Sequence, residues 1–152
     1  MAKIISINKS EIKGVLKTPS DKGVLLKNKG LEGDAHADGT HRQLSLLAKE
    51  SYDKMEALGI TGLHWGSFAE NITTEGISLY TLPVGTRLLL GKCEVEVTQI
   101  GKQCHGDCEI YKKAGTCVMP KEGIFVRILK GGEIGAGDEI RITETKTENQ
   151  VI

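Results

Sequence analysis

The sequence predicts a mainly-β fold, a barrel or a sandwich of short strands accompanied by one or two short helices. Eight or so short segments rich in aliphatic and β-branched residues recur along the chain, whereas one segment alone has the spacing of a three-turn helix. Glycine accounts for 19 of the 152 residues, nearly twice its ordinary share of ~7%, which indicates many tight turns. Aromatic residues make up 4% of the chain, so an aliphatic core is expected.

Three strands are predicted in the first third of the chain. The segments Lys3–Ile7 and Gly23–Lys27 are short, apolar and bounded by polar turn residues. The segment Gly30–Arg42, GLEGDAHADGTHR, has three glycines and no periodicity, which is typical of a loop. Apolar and polar residues then alternate over Gln43–Leu47, which predicts the third strand.

A helix is predicted directly after that strand, at Ala48–Gly59. Tyr52, Met55 and Leu58 recur at three-residue spacing with charged residues between them, which gives the segment one apolar face. Gly59 stands where a helix is expected to end, because glycine adopts the left-handed conformation that commonly follows the last turn.

The second half of the chain is predicted to be almost entirely β. Residues 68–79, FAENITTEGISL, have the pattern of a strand, a turn and the end of another strand. Residues 84–91 and 93–101 are predicted to form a hairpin, and residues 123–142 two strands joined by a glycine-rich turn. A short helix is expected at Asp107–Ala114.

A single domain is expected over residues 1–143, followed by a polar tail at residues 144–152, because 152 residues is an ordinary size for one domain. The 20 basic and 20 acidic side chains balance, which argues against nucleic acid and anionic membranes as partners. No apolar run has the length of a signal peptide or of a spanning helix, which takes about 20 apolar residues. A cytoplasmic location is therefore expected.

Three of the four cysteines lie close together, between Gln99 and Cys117. Because cytosolic thiols are usually kept reduced, this cluster favours metal ligation or a reactive thiol over a structural disulfide. Cys93 lies apart from the cluster, in a predicted strand, and is interpreted as a small buried apolar residue. The same interpretation is open for Cys108 and Cys117.

The spacing within the cluster leaves its chemistry open. Structural zinc is usually held by two close C-x2-C pairs, whereas the spacings here are x3 and x8. The thiol and imidazole ligands on offer would be Cys104, His105, Cys108 and Cys117. Thioredoxin-like redox motifs use C-x-x-C as well, which the x3 spacing does not match. Cys108 could still resolve a persulfide or sulfenate formed at Cys104. Cys104 stands beside Lys102 and His105, whose positive charge favours a reactive thiolate.

The glycine-rich loop is the second unusual segment. Glycines let backbone N–H groups approach an anion, and arginine can form two parallel hydrogen bonds with a phosphate or a carboxylate. The loop is therefore either an anion-binding segment or an inert turn, and its candidate residues are Asp34, His36, His41 and Arg42. Arg127, on a later predicted strand, either converges on the same ligand or covers a barrel surface.

Five separated motifs together resemble the MOSC family, named for the C-terminal domain of eukaryotic molybdenum-cofactor sulfurases. In order along the chain they are GDAHADGTHRQ, GSFAENITTEGI, LPVGTRLLLG, TQIGKQC and EGIFVRILKGGEIGAGDEI. The resemblance covers nearly the whole chain and is closest to the small stand-alone bacterial type. It implies a MOSC-type β-barrel with a few helices.

The resemblance also implies binding of molybdenum cofactor, a pterin-dithiolene phosphate that holds molybdenum. The family's invariant cysteine corresponds to Cys104, which follows QIGK. A thiolate is both a soft metal ligand and a carrier of persulfide sulfur, so Cys104 is the candidate catalytic and metal-binding residue. Cys108 and Cys117 are candidate further ligands.

Under this resemblance the pterin would be held by residues from several segments. The glycine-rich loop is the candidate seat for the pterin phosphate, and Glu70 and Asn71 are candidates for hydrogen bonds with the pterin amides. The alternative for Glu70 and Asn71 is a turn or bulge that fixes strand register. Many relatives have glycine before this pair, where this chain has Ala69, so a strained backbone is not assumed there.

The expected function is to carry, sulfurate or deliver molybdenum cofactor to molybdoenzymes. Two alternatives stay open: a molybdenum-dependent reductase of N-hydroxylated substrates, and a zinc-stabilised binding module. The fused sulfurases carry a pyridoxal-phosphate domain that removes sulfur from cysteine, and this chain is too short to include it, so no pyridoxal phosphate is expected here. The expected partners are a cysteine desulfurase, molybdoenzymes and proteins of cofactor biosynthesis.

Overall fold

The computed structural model describes residues 2–10, 17–34, 43–101 and 119–144. The helices in this part of the chain are α1, Lys49–Ala57, and α2, Met119–Glu122, with a 3-10 helix at Leu79–Thr81. Its strands are β1 Lys3–Lys9, β2 Thr18–Ser20, β3 Lys22–Leu26, β4 Gly30–Leu31, β5 Leu44–Ala48, β6 Ile72–Glu75, β7 Arg87–Leu90, β8 Cys93–Ile100, β9 Ile124–Lys130, β10 Gly132–Gly135 and β11 Ile140–Glu144.

The described strands form two sheets, which confirms the mainly-β class. The larger sheet has eight strands in the order β11-β7-β8-β9-β5-β6-β1-β2, and the smaller has three in the order β10-β3-β4. Neighbouring strands are antiparallel except for β5 and β6, which run parallel because α1 carries the chain back between them.

The larger sheet is not closed into the barrel that was predicted. One edge of β1 pairs with β6, and the other edge is divided between two neighbours. Its C-terminal half pairs with β2, whereas its N-terminal half meets the turn before β11 through an isolated bridge between Lys3 and Glu139. Because that edge is shared, no continuous ladder joins β1 to β11 among the described residues.

The core has two parts, on opposite faces of β5. Leu44 and Leu46 point into the main cluster, between the strands, whereas Leu47 points to the other face. This follows from the alternation of side chains along a strand. The second cluster packs α1 onto the sheet, and its buried members are Leu47, Tyr52, Met55, Ile60, Phe68 and Phe125.

Helix α1 begins and ends close to the predicted bounds. It buries Ser51, Tyr52 and Met55 against the sheet. Gly59 follows the helix with φ +91° and donates its N–H to the Glu56 carbonyl at 2.9 Å, while Ile60 N–H reaches the Met55 carbonyl at 3.3 Å. These two bonds form a Schellman motif, so the predicted stop at Gly59 is confirmed.

The strands predicted in the second half of the chain are confirmed in part. The hairpin is confirmed as β7 and β8, but residues 123–142 form three strands and not two. Gly131 explains the extra strand, because a Cβ there would lie 2.4 Å from the Leu25 carbonyl oxygen. Only glycine allows so close an approach, which lets the chain cross from β9 to β10 in the smaller sheet. The helix expected at Asp107–Ala114 lies outside the described residues.

Within the described ranges, no helix has the length and apolar character needed to cross a membrane.

Candidate functional site

The structure describes four of the predicted site residues, namely Asp34, Glu70, Asn71 and Arg127. The others lie outside the described residues, and they are His36, His41, Arg42, Cys104, Cys108 and Cys117. Three of the four described residues belong to one buried polar network, whereas Arg127 lies on the outer face of the sheet.

Asn71 joins three strands at the start of β6. Its side-chain oxygen accepts the Ser45 N–H at 3.1 Å, and its own N–H reaches the Ser45 hydroxyl at 2.9 Å. Its carbonyl accepts the Asn8 N–H at 2.6 Å, and its side-chain amide donates to the Asn8 carbonyl at 3.3 Å. Asn71 therefore fixes β6 against both β5 and β1.

Glu70 is fully buried, and both of its carboxylate oxygens accept hydrogen bonds. One oxygen accepts the Tyr52 hydroxyl at 2.6 Å and the Thr73 hydroxyl at 2.9 Å. The other accepts the Phe68 N–H at 3.3 Å. Burial raises the pKa of Glu70, although the Tyr52 and Thr73 bonds act in the opposite direction. Burial and the neighbouring Glu70 carboxylate also raise the pKa of Tyr52.

The backbone before this pair has an unusual conformation. Ala69 has φ +67°, a left-handed conformation that side chains other than glycine's adopt at a cost of about 1–2 kcal/mol. Its N–H donates to the Gly66 carbonyl at 2.9 Å, which closes the turn from which Glu70 enters the core. The backbone before Glu70 is therefore strained, although an alanine at position 69 gave no reason to expect this.

Asp34 forms an ion pair with Lys17 that is almost completely buried. The Lys17 ammonium lies 2.7 Å from Asp34 Oδ1, and the two side chains are only 3% and 2% exposed. The same oxygen accepts the Ser10 N–H at 2.9 Å. Burial alone would raise the pKa of Asp34, but the hydrogen bonds from Lys17 and Ser10 and the Lys17 charge outweigh it and hold that pKa below its usual value.

The Asn71 side chain also helps to lower the pKa of Asp34, which links Asp34 to the rest of this network. Sequence reasoning missed the partners that complete it, which are Asn8, Lys17, Ser45 and Tyr52. Tyr52 was identified only as part of the apolar face of α1. The local sequence around Lys17 carries no signal, since lysine is ordinarily exposed.

Arg127 points outward from β9 and is held by Glu96 on β8. Its guanidinium contacts Glu96 Oε1 at 2.9 and 3.0 Å, and its side chain keeps 46% exposure. Arg87 approaches the other oxygen of Glu96 at 3.3 Å. Among the described residues, no hydrogen bond links Arg127 to the buried network.

Strand β9 carries the anchor points of both segments that were singled out in the sequence. The chain leaves the described fold toward Cys104 at Gly101, whose N–H donates to the Gly123 carbonyl at the start of β9. It returns from the glycine-rich loop at Gln43, whose side-chain oxygen accepts the Ile128 N–H at 2.9 Å. Ile128 is five residue steps beyond Gly123, a rise of about 16 Å along the strand.

Among the predicted site residues that the structure describes, Arg127 has donor chemistry that fits an anionic ligand. Arg127 has a half-exposed guanidinium, which can donate to a phosphate. The carboxylates of Asp34 and Glu70 and the amide of Asn71 are engaged by protein donors and acceptors. That these three bind a cofactor directly stays a prediction. In the described part of the chain, no group of three His, Cys, Asp or Glu side chains is arranged to hold a metal.

Comparison with known proteins identifies relatives of this architecture. A family model described as the MOSC domain matches residues 33–141. The protein YflK of Bacillus subtilis (strain 168) is 25% identical over an alignment of 141 residues that covers 85% of this chain and 62% of YflK. The chain therefore spans less than two thirds of that relative.

Two solved structures share the fold. The YUAD protein from Bacillus subtilis superposes with a TM-score of 0.76 at 17% identity, covering 92% of this chain and 94% of its own. YiiM from Geobacillus stearothermophilus superposes with a TM-score of 0.70 at 22% identity, covering 95% of this chain and 76% of its own. At these identities the likeness is one of fold alone.

Proposed function

The chain belongs to the MOSC domain family, and from that premise we propose that it binds molybdenum cofactor and carries, sulfurates or delivers it to molybdoenzymes. The observation that carries the proposal is the family match over residues 33–141, which includes residues 33–42 of the glycine-rich loop, the Glu70-Asn71 pair and Cys104. The family's link to molybdenum cofactor then gives the ligand class.

Cys104 is the proposed sulfur and metal site. A thiolate there would ligate molybdenum or carry a persulfide sulfur, and Lys102 and His105 beside it in the sequence favour the thiolate form. The sulfur would come from a cysteine desulfurase, and the recipient would be a molybdoenzyme or a protein of cofactor biosynthesis. The cofactor supplies the molybdenum and the dithiolene sulfurs.

Of the predicted site residues that the structure describes, Arg127 is the one that we propose binds the cofactor's phosphate. Its guanidinium is oriented by two contacts with Glu96 while nearly half of its side chain faces solvent. Such a group is pre-organised, so little rotamer entropy is lost when it binds an anion. His36, His41 and Arg42 are proposed to supply further contacts from the loop that enters β5 at Gln43.

The test is the content of the purified protein. The chain would be expressed in a host that makes molybdenum cofactor, purified without oxygen, and analysed for molybdenum, zinc and pterin per chain. Molybdenum and pterin are expected together, and both should be lost from Cys104→Ser. Cys93→Ala is the matched control, because the Cys93 thiol is buried in the core and should not affect the cofactor.

Arg127→Gln tests the phosphate contact in the same preparation. It should retain less pterin, whereas Arg141→Gln, which removes another exposed arginine paired with a glutamate, should not. Zinc without pterin, or neither metal nor pterin, would contradict the proposal and favour a zinc-stabilised module or a fold without this cofactor. Reduction of an N-hydroxylated substrate by the loaded protein with an artificial electron donor would identify a reductase.

A further inference from the structure

A cavity of about 310 Å³ lies beside β1, where four parts of the chain meet. Its volume is at the lower end of the range for small-molecule sites, about 300–1,000 Å³. The walls include Lys3 and Ile5 of β1, Lys49 at the start of α1, Glu75 at the end of β6, and Trp65 in the segment between α1 and β6. The cavity is separate from the buried polar network and from the residues assigned to the cofactor.

Trp65 gives this cavity an aromatic wall that is held in place. Its ring meets the Tyr52 ring edge to face, with the centroids 4.9 Å apart and the planes at 76°. Tyr52 is itself fixed, because its hydroxyl donates to Glu70 at 2.6 Å and accepts the Gly66 N–H at 3.0 Å. The indole stays partly exposed, and its N–H makes no hydrogen bond with a described residue. A ring oriented in this way loses little entropy when a ligand stacks on it.

Two lysines make the cavity positive. The Lys3 side chain is 52% exposed and lies 3.6 Å from the Glu75 carboxylate. The Lys49 side chain is 38% exposed and lies 3.3 Å from Asp53. Exposed ion pairs of this kind contribute little to stability, so either ammonium can turn toward a ligand at small cost. Glu75 is the only carboxylate among the lining residues, which leaves their net charge positive.

The lining chemistry selects one class of ligand. A metal ion would find a single carboxylate here, although hard cations take several oxygen ligands. An organic cation would meet two ammonium groups. An anion is attracted by both lysines, and a flat apolar body is matched by Ile4, Ile5 and the Trp65 ring.

We propose that this cavity binds a small aromatic anion, a flat ring that stacks on Trp65 and carries a carboxylate or a phosphate toward Lys3 and Lys49. This inference does not depend on the proposed function, since it uses none of the residues assigned to the cofactor. Carboxylate and phosphate share the chemistry that the lysines recognise, and the choice of probe distinguishes them.

The test uses the single tryptophan of the chain. The indole N–H of Trp65 gives one signal in a proton–nitrogen correlation spectrum, so that signal reports on this cavity directly. Benzoate and phenyl phosphate are the probes. Acetate, which lacks the ring, and benzamide, which lacks the charge, are the matched controls. Titration of the purified protein with either probe should shift the Trp65 signal to saturation, whereas neither control should move it.

Variants of the lysines test the recognition of charge. Lys3→Gln and Lys49→Gln should each raise the dissociation constant of the tighter probe about two- to fivefold, as expected when a partly exposed charge pair is lost. Lys92→Gln is the matched control, because Lys92 is exposed in the turn between β7 and β8 and does not line the cavity. Trp65→Leu should abolish binding, as measured by saturation transfer to the probe's own proton signals.

The possible results separate as follows. No shift of the Trp65 signal with either anion refutes the proposal, and so do equal shifts with benzoate and benzamide, which would show stacking without recognition of charge. Equal affinities in Lys3→Gln, Lys49→Gln and Lys92→Gln also refute it. Tighter binding of phenyl phosphate supports a phosphate ligand, and tighter binding of benzoate supports a carboxylate. Molybdenum and pterin contents play no part in these results, so the proposed function is tested separately.

Discussion

Two neighbouring threonines on β6 should respond in opposite directions to the same substitution. Thr73 and Thr74 are both fully buried, but their hydroxyls face different surroundings. The Thr73 hydroxyl donates to Glu70 Oε2 at 2.9 Å and accepts from the Asn8 side-chain amide at 2.9 Å. The Thr74 hydroxyl has no hydrogen-bond partner among the described residues.

The expected sizes follow from these contacts. A buried hydroxyl without a partner costs about 1–3 kcal/mol, so Thr74→Val should stabilise the protein by about 1–2 kcal/mol. Thr73→Val loses one hydrogen bond to a carboxylate, about 1.5–3 kcal/mol, and one neutral bond, about 0.5–1.5 kcal/mol. It should therefore destabilise by about 2–4 kcal/mol.

The assay is urea unfolding of both variants beside the wild type, with calorimetry to check that the transition is two-state. In a chain of this size each kcal/mol moves the melting temperature by about 2–4 °C, so the two variants should lie on opposite sides of the wild type. Equal loss of stability in Thr73→Val and Thr74→Val would show that the Thr74 hydroxyl is satisfied and would refute the reasoning.

Two further predictions concern the buried network. Ala69→Gly should relieve the left-handed strain of about 1–2 kcal/mol, partly offset by the greater freedom of glycine in the unfolded chain, so urea unfolding should show a net gain below about 1 kcal/mol; a loss of stability would contradict the strain. Asp34 should make stability fall in acid. Its pKa is lowered by folding, so its contribution is present above the unfolded pKa and is lost as pH falls through the folded one. Asp34→Asn should remove this part of the pH dependence, which lies in the acid range below about pH 5, and an identical dependence in variant and wild type would contradict it.

The sequence predicted the elements whose signals are local. The helix α1 was identified from Tyr52 and Met55, and its end from Gly59, because periodicity and the left-handed stop are properties of consecutive residues. The hairpin of β7 and β8 was found for the same reason. Strand β10 was missed, because Gly131 and Gly132 have the pattern of a turn and only the presence of β3 makes the following residues a strand.

The candidate site was predicted less completely. Glu70 and Asn71 were singled out, but their hydrogen bonds depend on residues far away in the sequence, such as Asn8 and Ser45. Lys17 was not singled out at all, because a lysine is ordinarily exposed. Its burial depends on a carboxylate 17 residues later in the chain.

The sequence by itself determined the mainly-β class, the position and end of α1, and membership of the MOSC domain family, since these follow from local patterns and ordered motifs. The tertiary structure alone decided three features of the described residues. No continuous ladder joins β1 to β11, the Ala69 backbone is left-handed, and Lys17 and Asp34 form a buried ion pair. These depend on which distant segments meet, because burial and strand pairing are set by contacts between segments and not by neighbours along the chain.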